Sequence, residues 1–127
     1  KEENTKALLK AMDNPYVKVL AHPGNVMYPI DVEKIVAKAK KKGILIEINN
    51  SSFTGSREGS EPNCLEIAKE VRKQDWKVVI GSDAHASHML GDYSEAIKLV
   101  KKAGLKDDQV VNTSEELIRE YILNRDQ

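Results

Sequence analysis

The run Val78-Val79-Ile80-Gly81-Ser82-Asp83-Ala84-His85 sets three β-branched apolar residues before a Gly-Ser turn, then an Asp and a His two positions apart. A short apolar run ended by a turn signal reads as a buried strand. Asp83 and His85 therefore fall where a strand passes into a loop. In a parallel sheet flanked by helices, that edge is where ligands are held. Asp and His both ligate metals, and a D-x-H pair can aim at one centre from an extended or bent backbone. A solvated strand-end turn with an incidental His accounts for the same stretch.

Working outward, Ile44-Leu45-Ile46-Glu47-Ile48-Asn49-Asn50 is the strongest strand in the chain. Alternation puts Ile44, Ile46 and Ile48 on one face and Leu45, Glu47 and Asn49 on the other. A carboxylate and an amide on so apolar a strand are costly unless partnered. A structural hydrogen-bond network satisfies them as readily as a ligand does. Ser51 to Ser60 is a polar, Gly- and Ser-rich loop, long enough to be functional. Its Arg57 has the donor fork to clamp an anion, or simply lies on the surface. Further upstream, Tyr16 to Leu20 is strand-like and runs into Ala21-His22-Pro23-Gly24-Asn25, where Pro and Gly turn the chain directly after His22.

Between these strands the pattern is helical. Residues 3–13 carry Leu8, Ala11 and Met12 on one face and stop at Asn14-Pro15. Asp31 is a good N-cap for a helix with Val32, Ile35, Val36 and Ala39 inward and Gly43 as its stop. Lys40-Lys41-Lys42 in its last turn suits the helix dipole, so a solvated helix end is preferred to a phosphate patch. Pro62 suits the first position of a helix burying Cys64, Ile67, Ala68 and Val71, which makes Cys64 a core residue rather than a nucleophile. Trp76 packs at the turn into the 78–80 strand. Tyr93, Ala96, Ile97 and Val100 define another helix closed by Gly104. Val110-Val111 is a short strand. Thr113-Ser114-Glu115-Glu116 is a capping box ahead of Leu117, Ile118, Tyr121 and Ile122. His88 reads as a surface residue. A helix followed by about four strand–helix repeats predicts an α/β fold of parallel βα units.

At 127 residues the chain is one domain or a piece of one. Its formal net charge of +0 gives no long-range pull toward nucleic acid or an anionic membrane. The single cysteine, Cys64, excludes an internal disulfide and a CxxC zinc site, and fits a reducing, cytoplasmic setting. No apolar run approaches the ~20 residues that cross a bilayer, and no signal peptide is visible. The sequence starts at Lys1 without Met and goes straight into a helix-like segment, which reads as a fragment or a processed chain.

The chemistry-bearing residues gather after successive strands: His22 after the first; Glu47, Asn49, Asn50 and the Arg57 loop after the second; Asp83 and His85 after the third. Polar residues at the carboxyl ends of parallel strands are where barrel enzymes work. Two imidazoles and a carboxylate suit zinc, manganese or iron, and metals clustered this way bind phosphoryl oxygen and activate water. Three ligands are too few to specify a metal.

The motifs Ala-His-Pro-Gly-Asn (21–25), Leu-Glu-Ile-Asn-Asn-Ser-Ser-Phe with Ile46 (45–53), Ser-Arg-x-Gly-Ser-Glu-x-Asn-Cys (56–64) and Gly-Ser-Asp-Ala-His (81–85) resemble the PHP superfamily, and within it the bacterial YcdX-type phosphatase branch. The resemblance runs through essentially the whole chain in the right order and spacing. It implies a distorted (βα)7 TIM-like barrel, a trinuclear metal site and phosphoesterase activity. It implies that His22, Asp83 and His85 are metal ligands, with Glu47, Asn49 and Arg57 supporting them or facing substrate. The family's opening His-x-His strand is not in this sequence. Residues 1–127 thus resemble the carboxyl-terminal half of a PHP-type barrel, expected to bind metal weakly and to be inactive alone. The expected partners are a small phosphorylated substrate and the missing half, or a second copy through the exposed sheet edges. Two alternatives remain: a polymerase-associated PHP domain with an exonuclease or structural role, and a non-catalytic α/β interaction module. The neutral charge disfavours nucleic acid.

Overall fold

In the computed structural model, which describes residues 1–53 and 57–123, Leu45–Asn49 forms the middle strand (β2) of a parallel sheet. Val19–Leu20 (β1) lies on one side of it and Val78–Gly81 (β3) on the other. Val19 stands opposite Leu45, Ile46 opposite Val78, and Asn49 opposite Gly81. Leu45, Ile46 and Ile48 are buried, as befits a parallel strand covered on both faces.

The helices follow the apolar spacing. Glu2–Ala11 is α1, Val32–Lys42 is α2, Glu61–Lys73 is α3 and Ser94–Lys102 is α4. Asp31 caps α2 by accepting from the Lys34 N–H at 3.3 Å, and Gly43 ends it at φ 69°, a conformation glycine adopts without strain. Val32, Ile35, Val36 and Ala39 are buried, as are Cys64, Ile67, Ala68 and Val71 on α3. Lys40, Lys41 and Lys42 are exposed. Trp76 packs, its Nε1–H donating to the Ile44 carbonyl at 2.7 Å.

Several boundaries differ from the pattern reading. β1 has two residues, because Asn14-Pro15 opens a turn in which the Val17 N–H donates to the Asn14 carbonyl, leaving Tyr16 84% exposed. Pro62 is the second residue of α3, not the first. On α4 the buried face is Ala96, Leu99 and Val100, while Tyr93 and Ile97 are exposed. Ser114, not Thr113, caps the last helix, α5 (Glu115–Ile118), by accepting from the Leu117 N–H; a π-helical turn, Arg119–Leu123, continues it.

The fourth strand is the larger correction. Val110 makes a single parallel bridge with Val78, and Val111–Thr113 is already a 3-10 turn. A side chain takes over the pairing there. The Ile80 N–H donates to Asn112 Oδ1 at 2.6 Å, and Asn112 Nδ2 donates to the Ile80 carbonyl at 3.0 Å. One carboxamide thus meets both backbone polar groups of a residue that a neighbouring strand would otherwise satisfy.

The carboxyl-terminal helical segment lies against the residues that precede the strands. Tyr121 meets the Trp76 ring edge-to-face with centroids 5.8 Å apart, Lys77 Nζ sits 5.2 Å from the Tyr121 ring centre, and Lys18 Nζ donates to the Ile122 carbonyl. The opposite ends, where the strands finish, are left to the loops that carry the polar motifs. No described helix is long and apolar enough to cross a membrane.

Candidate functional site at the strand exits

β1 delivers His22, β2 delivers Glu47 and Asn49, and β3 delivers Asp83 and His85. Glu47 joins the first two exits. Its Oε2 accepts from the His22 backbone N–H at 2.8 Å and from Asn49 Nδ2 at 3.2 Å. Its Oε1 lies over Gly81 of β3, so close that a Cβ there would clash with it. Glu47 therefore spans all three strands, and Gly81 provides the space it occupies. Asn49, 2% exposed, turns its Oδ1 to the Ser51 N–H at 2.9 Å. The carboxylate and amide that alternation places on the less apolar face of β2 are partnered, in large part by backbone.

Arg57 and Asp83 form an ion pair with both side chains largely shielded, 15% and 30% exposed. The Arg57 guanidinium holds the Asp83 carboxyl below its ordinary range against the opposing effect of burial; the Asn49 amide and the His85 ring add smaller pulls in the same direction. His85 Nδ1 lies 2.8 Å from the Asp83 carbonyl, and the His85 side chain is exposed. His22 borders a cavity of about 260 Å³ between α1 and the loop after β1, with Asn4, Leu8, Asn25, Tyr28 and Ile30. Asp83 and His85 are not among the residues lining that cavity. His88 is exposed.

Two of these residues carry backbone strain. His22 has φ 33° and Asp83 φ 51°, both in the left-handed region that side chains with a Cβ rarely enter. His22 also precedes Pro23, which ordinarily pushes its neighbour to extended backbone. Such residues persist where the surroundings over-determine them, and they gather at functional sites. The His22 N–H bond to Glu47 and the Asp83 pairing with Arg57 are those surroundings.

The donor types suit zinc, manganese or iron, yet among the described residues no three His, Cys, Asp or Glu side chains come together as a metal-holding group. The described side chains alone do not fit a metal centre. Cys64 is 3% exposed, and burial pushes its thiol up to about 11, as a core residue rather than a nucleophile. The Pro23-Gly24 turn packs on it: a Cβ at Gly24 would meet Cys64 Sγ at 2.6 Å.

Sequence reasoning missed the parts played by Gly81, Ser51 and Asn112. Ser51 and Asn112 bond to backbone groups of distant segments and Gly81 makes room for a distant side chain, none of which local spacing signals.

Fold and site together define an α/β protein with a linked polar cluster across the exits of three parallel strands. No protein-family model matches the chain. It is similar to proteins named probable phosphatases: 51% identical over 121 residues to one from Thermoanaerobacter sp. (strain X514), covering 95% of this chain and 49% of that protein. A probable phosphatase of Clostridium acetobutylicum is 48% identical over 121 residues, covering 95% and 50%, and one of Clostridium novyi is 44% identical over 124 residues, covering 98% and 51%. The chain spans about half the length of the curated relatives it matches.

Proposed function

We propose that these 127 residues are the carboxyl-terminal half of a PHP-type barrel, and that the whole protein is a cytoplasmic, metal-dependent phosphomonoesterase. The observation that carries this is the Glu47 carboxylate, bonded at the exits of β1 and β2 and seated against Gly81 of β3. Chemistry on parallel barrels is done at that edge. The names of the relatives support phosphate-ester hydrolysis, and their length, about twice that of the matched region, supports a barrel to which this chain contributes half.

In this reading His22, Asp83 and His85 are metal ligands, and donors from the rest of a chain of the relatives' length complete each set. The ions implied, zinc, manganese or iron, polarise phosphoryl oxygens and acidify bound water in such centres. This chain's own share is orientation. Glu47 and Asn49 hold the His22 turn, and Arg57 fixes Asp83 while keeping further guanidinium donors for a phosphoryl oxygen. The substrate is a small phosphate monoester. The sheet's partner is the rest of the barrel, or a second copy in its absence.

The test is a panel of phosphate monoesters offered, with added manganese, to a protein of the relatives' length containing these residues. Turnover that falls ~100-fold or more in Asp83→Ala is expected, the scale on which metal-site substitutions act. Turnover untouched by Asp83→Ala removes the ligand assignment. Calorimetry of the 127-residue chain with zinc or manganese tests the division of ligands, and tight stoichiometric uptake of several ions contradicts it.

A further inference from the structure

α4 begins without a cap of its own. Tyr93 stands at its N-cap position and makes no side-chain bond to the helix. The donors of the first turn are met from elsewhere. Asp92 Oδ1 accepts from the Ser94 N–H at 3.2 Å. Asn50, at the exit of β2, turns its Oδ1 to both the Glu95 and Ala96 N–H groups, each at 3.0 Å. Those are the second and third helical positions, the donors an N-cap side chain serves. One residue further along, Ser51 Oγ donates to the Ser82 carbonyl at 3.0 Å.

Two consecutive side chains of one strand exit therefore grip both ends of residues 82–96. Ser51 holds the end where β3 runs out, and Asn50 holds the end where α4 starts. Asp83 and His85 lie between them. Every residue from 85 to 95 is exposed, so packing contributes little to holding the segment. Its backbone bonds are short-range: Met89 to Ala86, Leu90 to Ser87, Asp92 to Met89. Bonds of that reach shape turns without fixing the segment against the sheet. The Arg57 ion pair secures Asp83 but not the stretch beyond it.

We propose that Asn50 is a positioning residue that sets where the His85 loop stands over the strand exits, by capping α4 from across the sheet. Ser51 fixes the other end. The proposal rests on the reading that His85 belongs to the site, and its test uses no turnover.

The test compares the 127-residue chain with Asn50→Ala, Asn50→Asp and Ser51→Ala. It measures amide hydrogen exchange and, at one fixed pH, the 1H–15N signals of the His85 ring. Asn50→Ala is expected to speed exchange at residues 94–96 by ~10-fold, the scale of losing a cap. The His85 ring signals move, and α3 keeps its protection. Asn50→Asp restores both readings, because a carboxylate oxygen accepts the same two bonds and suits the helix dipole. Unmoved ring signals, exchange raised equally in α3 and the sheet, or no rescue by Asp each overturn the proposal. If Asn50→Ala does not fold, Ser51→Ala carries the test, and unchanged His85 signals in it count against the clamp. An intact clamp in a protein that hydrolyses no phosphate ester sinks the phosphatase reading and leaves this one standing. Phosphatase activity with an unclamped loop does the reverse.

Discussion

Gly81 and Glu47 show how one missing Cβ allows a network. A methyl group on Gly81 would clash with Glu47 Oε1 and stand 3.1 Å from its Cδ, so the carboxylate that accepts from the His22 N–H must shift. Gly81→Ala is expected to cost about 1–3 kcal/mol in urea unfolding, from overpacking together with disturbance of that bond. In a Glu47→Ala background the same change is expected to cost far less. Equal costs in both backgrounds would deny the coupling. Cys64 gives the pH prediction. Its folded thiol titrates at about 11 against an ordinary 9.0, chiefly because it is buried. A raised folded value means stability that is present below pH 9 and lost as pH rises toward 11, since the unfolded chain sheds the proton first. Wild type is expected to lose on the order of 2 kcal/mol relative to Cys64→Ala between pH 8 and 11. A pH-independent difference between the two proteins contradicts the assignment. Below pH 9 the native thiol is expected to alkylate only as fast as the chain opens.

At the level of elements, the outer edge of β3 depends on a side chain. Asn112 meets both the N–H and the carbonyl of Ile80 where a fourth strand was expected. Asn112→Ala is expected to lower stability by about 1–3 kcal/mol, two hydrogen bonds on a half-covered edge. Exchange should quicken at Ile80 before it does at Ile48 in the middle strand. Asn112→Asp keeps the acceptor and loses the donor, so it is expected to fall between the two. A neutral Asn112→Ala would mean that water serves Ile80 equally well. The strand–helix units themselves were legible from pattern, because α2 and α3 each bury four residues at helical spacing. α4 was legible as a helix with its inward face partly misread, since Tyr93 and Ile97 share the spacing of the buried residues while lying exposed.

For the whole molecule, the barrel reading leaves the sheet with a partner to find. Sedimentation at rising concentration is expected to show association, and a clean compact monomer throughout would count against a half barrel. The positions of the site motifs were legible too. His22, Asn49, Asp83 and His85 come at or just after strand ends, because a buried apolar run that ends in polar residues marks its own boundary, while Glu47 lies within β2. The orientation of those side chains was not legible. Glu47 and Asn49 bond to each other and to backbone, Arg57 pairs with Asp83, and Asn50 caps a helix 45 residues away.

By itself the sequence determined the alternation of strands and helices, the parallel α/β class, the burial of Cys64 and the rim on which polar residues fall. All of these follow from period, turn chemistry and hydrophobicity, which act within a few residues. Tertiary structure alone decided that β3 is edged by an amide rather than by a strand, that Gly81 exists for Glu47, and that His22 and Asp83 sit in strained backbone. Each of those depends on groups brought together from segments some 25 to 34 residues apart, and bond geometry across such a gap is set by packing, not by local pattern.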